Sequence, residues 1–175
     1  MVRAGGHWLI VTALFVCASP AAAAVQTASP SHIALAYEVE LAGSPDVAWE
    51  NLTQISKWWS SDHTYSGQAQ NLTLDKRPGR CWCETWAGGG VEHARVVMAM
   101  PGKVLRIEGG FGPLQGLGVK ATMTFMLKPA TQVGKTKLQV TYLVNGSADT
   151  KLDGLAAPID GVLATQFGRL AALSQ

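Results

Sequence analysis

A carboxylate and an imidazole, Glu84 and His93, flank the glycine run Gly88-Gly89-Gly90. A carboxylate that orients an imidazole is the arrangement used for proton transfer, because the charge selects the ring tautomer and supports its protonated form. If Ala87 to Gly90 forms a four-residue loop, Trp86 faces Val91, and the register sets Glu84 opposite His93, Trp82 opposite Arg95 and Cys83 opposite Ala94. The second turn, Pro101-Gly102 with Met100 and Lys103 flanking it, sets Arg95 opposite Glu108 and Val97 opposite Arg106. One face of this ribbon then carries Trp82, Glu84, Trp86, His93, Arg95, Arg106 and Glu108. The other carries Cys81, Cys83, Ala94, Val96, Met98, Leu105 and Ile107, with Thr85 and Glu92 at one end.

Burial gains most on the apolar face, which is therefore expected to point inward. The polar face becomes the outer surface, with Glu84–His93 and Arg95–Glu108 as cross-strand ion pairs and Trp82 under the Arg95 guanidinium. The opposite orientation would make Glu84 and His93 an acid–base couple inside the fold. Glu92, on the apolar face at a hairpin end, is the candidate carboxylate for a cavity mouth, where burial would raise its pKa. Of Trp58 and Trp59, one is expected to plug the core and the other to close the cavity entrance. Met98, Met123, Phe125 and Tyr142 most simply fill the core, though the same soft, adaptable side chains would line a cavity for an apolar ligand, and Tyr37 completes the candidate ligand-binding set. No residue is assigned a catalytic role.

Cys81 and Cys83 are expected to remain two buried thiols. Residues two apart on a strand lie roughly 6.5–7 Å apart at Cα, and their Cβ atoms stay well beyond the roughly 3.8 Å that a bridge wants. The Cys and His residues show no metal-ligand spacing, so neither a metal nor another cofactor is implied.

The elements that must hold these side chains are legible from period. Ile33, Leu35, Tyr37, Val39 and Leu41 alternate as a strand, and Ser44-Pro45-Asp46 opens a helix with a cap and a first-turn proline. A short helix pair ends in Trp58-Trp59. Leu72-Thr73-Leu74, the two hairpins, Val119 to Leu127 and Leu138 to Val144 supply further strands. Leu152 to Leu173 carries apolar residues at three and four, a long helix with a kink or a fresh start at Pro158. The fold class is α+β: a curved antiparallel sheet of about six to seven strands around a long C-terminal helix.

The chain has 175 residues and a formal net charge of +2, which provides no clustered basic surface for nucleic acid. Arg3, the apolar run Trp8–Val16 and the small residues Ala21–Ala24 read as a signal peptide over residues 1–24, too short to span a bilayer. Export to a periplasmic or secreted location follows, with no stable membrane anchor after cleavage. Residues 25–32 read as a linker, and residues 33–175 as one domain.

Several motifs together resemble the SRPBCC superfamily of START-like, helix-grip proteins. They are Trp58-Trp59, the Gly79 to Glu84 turn into a strand, Val91-Glu92-His93, Pro101 to Arg106, Gly112-Pro113-Leu114 and the Asp160 to Leu170 helix. The branch most similar comprises bacterial polyketide-cyclase and heat-shock-ATPase-activator-like proteins. The resemblance implies a cavity between sheet and terminal helix holding a hydrophobic small molecule, a lipid or an aromatic metabolite. It also admits a cyclase, dehydratase or hydrolase working in that cavity, or a chaperone-accessory interaction module.

Overall fold

Strand β2, His32–Ala42, buries Ile33, Leu35, Tyr37, Val39 and Leu41 while its alternate residues stay more exposed, so the sheet has one apolar face from its second strand onward. The computed structural model describes residues 22–173, with side chains from residue 25. Around β2 are assembled β1 (Ala22–Ser29), β3 (Leu72–Leu74), β4 (Cys81–Trp86), β5 (Gly89–Met100), β6 (Val104–Gly109), β7 (Lys120–Pro129) and β8 (Lys135–Asn145). They form one antiparallel sheet in the order β1-β2-β8-β7-β6-β5-β4-β3.

Eight strands exceed the expected six to seven, and the extra one is β1. The Val25–Ser29 stretch, read as linker from its small residues, pairs with β2 through Val25↔Leu35 and Ser29↔His32. Small side chains suit an edge that packs beneath a helix. The signal-peptide expectation falls outside the described residues up to position 21, and residues 22–24 begin β1.

Helix α1 (Pro45–Thr53) starts where Ser44 accepts a hydrogen bond from the Val47 amide and Pro45 occupies the first turn. A short α2 (Ile55–Trp58) follows. At the other end, a 3₁₀ turn at Leu152–Leu155 leads into α3 (Ala156–Leu173), so Pro158 stands in the first turn of a fresh helix, where its missing N–H is harmless. α3 packs against β1, β2 and α2. Phe167 is its central wedge, with ring centroids 5.0 Å from Tyr37, 6.2 Å from Phe125 and 6.4 Å from Trp58. Gln166 accepts from the Ser60 amide at 2.7 Å and Arg169 donates to the Trp58 carbonyl at 2.8 Å, so α3 also anchors the chain leaving α2.

The hairpins depart from the expected pairing in an informative way. The first turn is the two residues Ala87-Gly88, with Gly88 at φ +90° and Trp86 opposite Gly89. Trp82 then faces Ala94 and Cys83 faces Glu92, leaving His93 as an extra residue on β5. This is a β-bulge, and it turns both His93 and Ala94 toward the interior. A second irregularity at Val97 restores Arg95↔Glu108 and places Met98 opposite Arg106. Arg95 does stand opposite Glu108, as the sequence predicts, but it bonds Glu92 at 2.6 Å, while Glu108 reaches Lys120 at 3.6 Å.

Candidate functional site

Between the inner face of the sheet and the first half of α3 lies a cavity of about 430 Å³, within the range of small-molecule sites. Its wall draws Trp82 from β4, His93 from β5, Met123 from β7 and Tyr142 from β8. Leu155, Ile159 and Leu163 close it from the helical side, and two loops complete it with Tyr65 and Phe111. The wall is mostly apolar and strongly aromatic. Trp82 meets Trp59 edge to face at 4.6 Å and Phe111 at 5.9 Å, and Phe111 in turn meets Tyr142 at 5.3 Å.

One patch of this wall is polar. His93 Nε2 lies 3.1 Å from Glu84 Oε2, both side chains being buried. The carboxylate also accepts backbone N–H bonds from Tyr65 at 3.0 Å and Ser66 at 2.6 Å. Burial works to raise the Glu84 pKa, but the donors from Ser66, Tyr65 and His93 outweigh it and hold the carboxyl below its usual value. Glu84 is therefore an anion at neutral pH. For His93 burial dominates, and despite the pull of Glu84 the imidazole pKa is lowered, so the ring is mainly neutral. A neutral imidazole beside an anionic carboxylate must carry its proton on Nε2, which leaves Nδ1 as a lone-pair acceptor. Nδ1 makes no hydrogen bond to any described residue. The ring is held between Tyr65, stacked at 5.9 Å, and Trp82 at 5.4 Å.

The interior orientation of this pair corrects the expectation of a surface lattice. With a two-residue turn and a bulge, β4 presents Trp82 and Glu84 inward and its cysteines outward. Trp82 therefore does not lie under Arg95. Glu92 does not reach a cavity mouth: it is exposed on the outer face and bonded to Arg95. Met98 also turns to the outer face. Of the other candidate ligand residues, Trp59, Met123 and Tyr142 line the cavity, whereas Tyr37, Trp58 and Phe125 sit in the core around Phe167. Tyr37 donates to Asp160 at 2.9 Å, and burial, then that carboxylate, push its pKa upward. Tyr65, Phe111 and Ile159 escaped sequence reasoning. The first two lie in irregular segments, where no period says which way a side chain points.

Cys81 and Cys83 are bridged, not free, with Cα atoms 5.4 Å apart. The expected separation assumed a fully extended strand, whereas β4 is drawn in opposite the β5 bulge. The two sulfurs and a Glu92 carboxylate oxygen lie within 4.8 Å of one another. Bridged sulfurs offer no thiolate, and Glu92 is committed to Arg95, so this trio does not form a metal centre as it stands.

Phe111 adopts φ +46°, a conformation that costs a non-glycine residue strain. Its amide donates to the His93 carbonyl at 3.1 Å, tying the loop to the bulge. Gly109 is needed for the same contact, because a Cβ there would stand 2.3 Å from the His93 carbonyl oxygen.

No family model and no curated protein matches the chain. Solved structures do share its fold. A protein from Rhodobacter sphaeroides superposes with a TM-score of 0.57 at 17% identity, covering 87% of this chain and 97% of that one. One from Mesorhizobium loti gives 0.54 at 17% identity, covering 80% and 95%. DynU16, a protein of the dynemicin biosynthetic locus, gives 0.55 at 17% identity, covering 79% of this chain and 46% of its own. The likeness, with one antiparallel sheet and a long terminal helix, is one of fold and fits a helix-grip architecture.

Proposed function

We propose that the chain is an exported START-like protein of the SRPBCC kind that binds an apolar, largely aromatic small molecule between its sheet and α3. The observation that carries this reading is the aromatic cavity of about 430 Å³, bounded by the sheet, α3 and the loops after α2 and β6. Rings with planar faces and polarised edges favour flat apolar ligands by stacking and edge contacts. The provenance of DynU16 in a biosynthetic locus is compatible with a small-molecule ligand. Native mass spectrometry of protein purified from its own compartment tests the reading. A stoichiometric adduct lost on organic extraction is the expected result, and an adduct-free protein that also rejects added aromatic ligands would end it.

Export rests on the leader pattern of residues 1–24 and agrees with a disulfide, which persists in oxidising compartments. Intact mass of the secreted form should place the mature N-terminus near Val25.

A second reading, an enzyme of cyclase, dehydratase or hydrolase type, is favoured by His93 in the cavity wall with Glu84 bonded behind it. An imidazole with a free Nδ1, held by an anionic carboxylate on Nε2, is equipped to take a proton from a bound molecule. Turnover that disappears in His93→Phe while ligand binding persists would select this reading over a pure carrier.

A further inference from the structure

The cavity wall has one free acceptor. Nδ1 of His93 is a lone-pair site with no partner among the described residues, on a ring that lines the cavity. Trp82, whose ring centroid lies 5.4 Å from that of His93, supplies aromatic surface beside it. A ligand hydroxyl answers this acceptor, since its O–H donates. An ether oxygen has no proton to donate. A carboxylate also has no proton to give, and it would meet the imidazole lone pair with the Glu84 charge behind it and Asp62 on the same wall.

We propose that Nδ1 of His93, flanked by the Trp82 ring, is a hydroxyl-recognition subsite, so that the cavity selects phenol-type aromatic ligands over their ethers and over aromatic carboxylates. This rests on the cavity reading above and names its ligand class. His93 accepts the ligand O–H at Nδ1. Glu84 acts as a positioning residue: its charge holds the Nε2–H tautomer and makes the ring a stronger acceptor. The proton stays on the ligand, and no bond is broken.

The subsite has a pH signature, because an imidazolium carries a proton on Nδ1 and cannot accept. Affinity for a phenol should be constant at neutral pH and fall with acidification below the ordinary imidazole value of 6.5, since His93 is lowered from it. The other titratable groups around the ring are Glu84 from β4, Asp62, His63 and Tyr65 from the loop after α2, and Tyr142 from β8. His63 is a second imidazole on the same wall, so the measurement needs a ligand blind to Nδ1 as its control.

The experiment is isothermal titration of the disulfide-bonded protein with 2-naphthol, 2-methoxynaphthalene and 2-naphthoate across a pH series. The naphthol should bind at least about tenfold more tightly than either comparator at neutral pH, the ratio expected for one buried hydrogen bond. That preference should shrink on acidification while ether binding stays level. His93→Phe, which keeps a ring between Tyr65 and Trp82, should bring the naphthol-to-ether affinity ratio close to one. Equal affinities for naphthol and ether, a preference that ignores pH, or one that survives His93→Phe would each overturn the proposal while leaving the cavity reading intact. Failure of all three ligands to bind would remove the cavity reading and this proposal with it.

Discussion

The Glu84 carboxylate and the His93 imidazole meet at 3.1 Å although they are not partners in the ladder, where Glu84 faces Val91. Alternation from Val91 puts His93 on the Glu84 side as its diagonal neighbour, and the extra residue on β5 lets Ala94 follow it inward. The pair lies among Trp82, Tyr65 and the cavity instead of in solvent.

Burial makes the pair structurally expensive to cut. Glu84→Ala leaves the Tyr65 and Ser66 amides and His93 Nε2 without an acceptor, so it should cost about 3 kcal/mol or more. Glu92→Ala, which removes the exposed partner of Arg95, should cost less than about 1 kcal/mol. Urea unfolding of the two variants checks this, and near-equal losses would put Glu84 back on the surface.

Acid should destabilise the fold in two stages. His93 is lowered in the folded state, so the unfolded chain takes up its proton first, and stability falls as pH drops below the unfolded imidazole value near 6.5. Glu84 is also lowered, and its contribution is present above its unfolded value near 4.5 and lost as pH falls further, through its folded value. Unfolding free energy measured across pH should show both stages in wild type. In His93→Phe the upper stage should vanish, and its persistence would assign that stage to another group.

How far the chain announced this site can be argued from the same strands. Alternation in β2, β7 and β8 made their buried faces readable, because every second residue from Ile33 to Leu41 is apolar. On β4 the alternation is Cys-Trp-Cys-Glu, which gives neither face a clear advantage, so facing depended on turn length. Three consecutive glycines accept several turns, and the two-residue form has its own register. Bulges leave no pattern in one sequence. Two errors on the second hairpin cancelled: its turn holds one residue more than expected, and the irregularity at Val97 removes the difference before Arg95↔Glu108. For β1 the small residues Ala28 and Ser29 carry no strand period, and only the partner β2 explains their conformation.

Phe111 should trade strain against ligand contact. Phe111→Gly relieves a positive φ but removes the ring contacts with Trp82 and Tyr142, terms of similar size at about 1–2 kcal/mol. Stability should therefore change by less than about 1 kcal/mol, while affinity for 2-methoxynaphthalene falls severalfold as one aromatic wall is lost. A large loss of stability with unchanged affinity would make Phe111 a core residue instead of a cavity wall.

The bridge between Cys81 and Cys83 should govern whether His93 stays inside. It draws the two Cα atoms to 5.4 Å, short of the roughly 6.5–7 Å of an extended strand, and the shortened segment lies opposite the bulge that supplies His93. With the bridge removed, β4 is free to extend and the ladder to re-pair without an extra residue; keeping Ala94 opposite Trp82 would then set His93 opposite Cys83 on the outer face. Burial is the chief cause of the lowered His93 pKa, so exposure should move it up toward its ordinary value. The closed loop is very short, and losing it should cost only about 1–2 kcal/mol by chain entropy, leaving the protein folded. NMR titration of the histidine ring protons, in the oxidised protein, after reduction and in the Cys81→Ser/Cys83→Ser double variant, measures this directly. An upward shift of His93 in both reduced and double-variant protein is expected. An unchanged titration in a folded double variant would show that the bulge is held by the sheet alone.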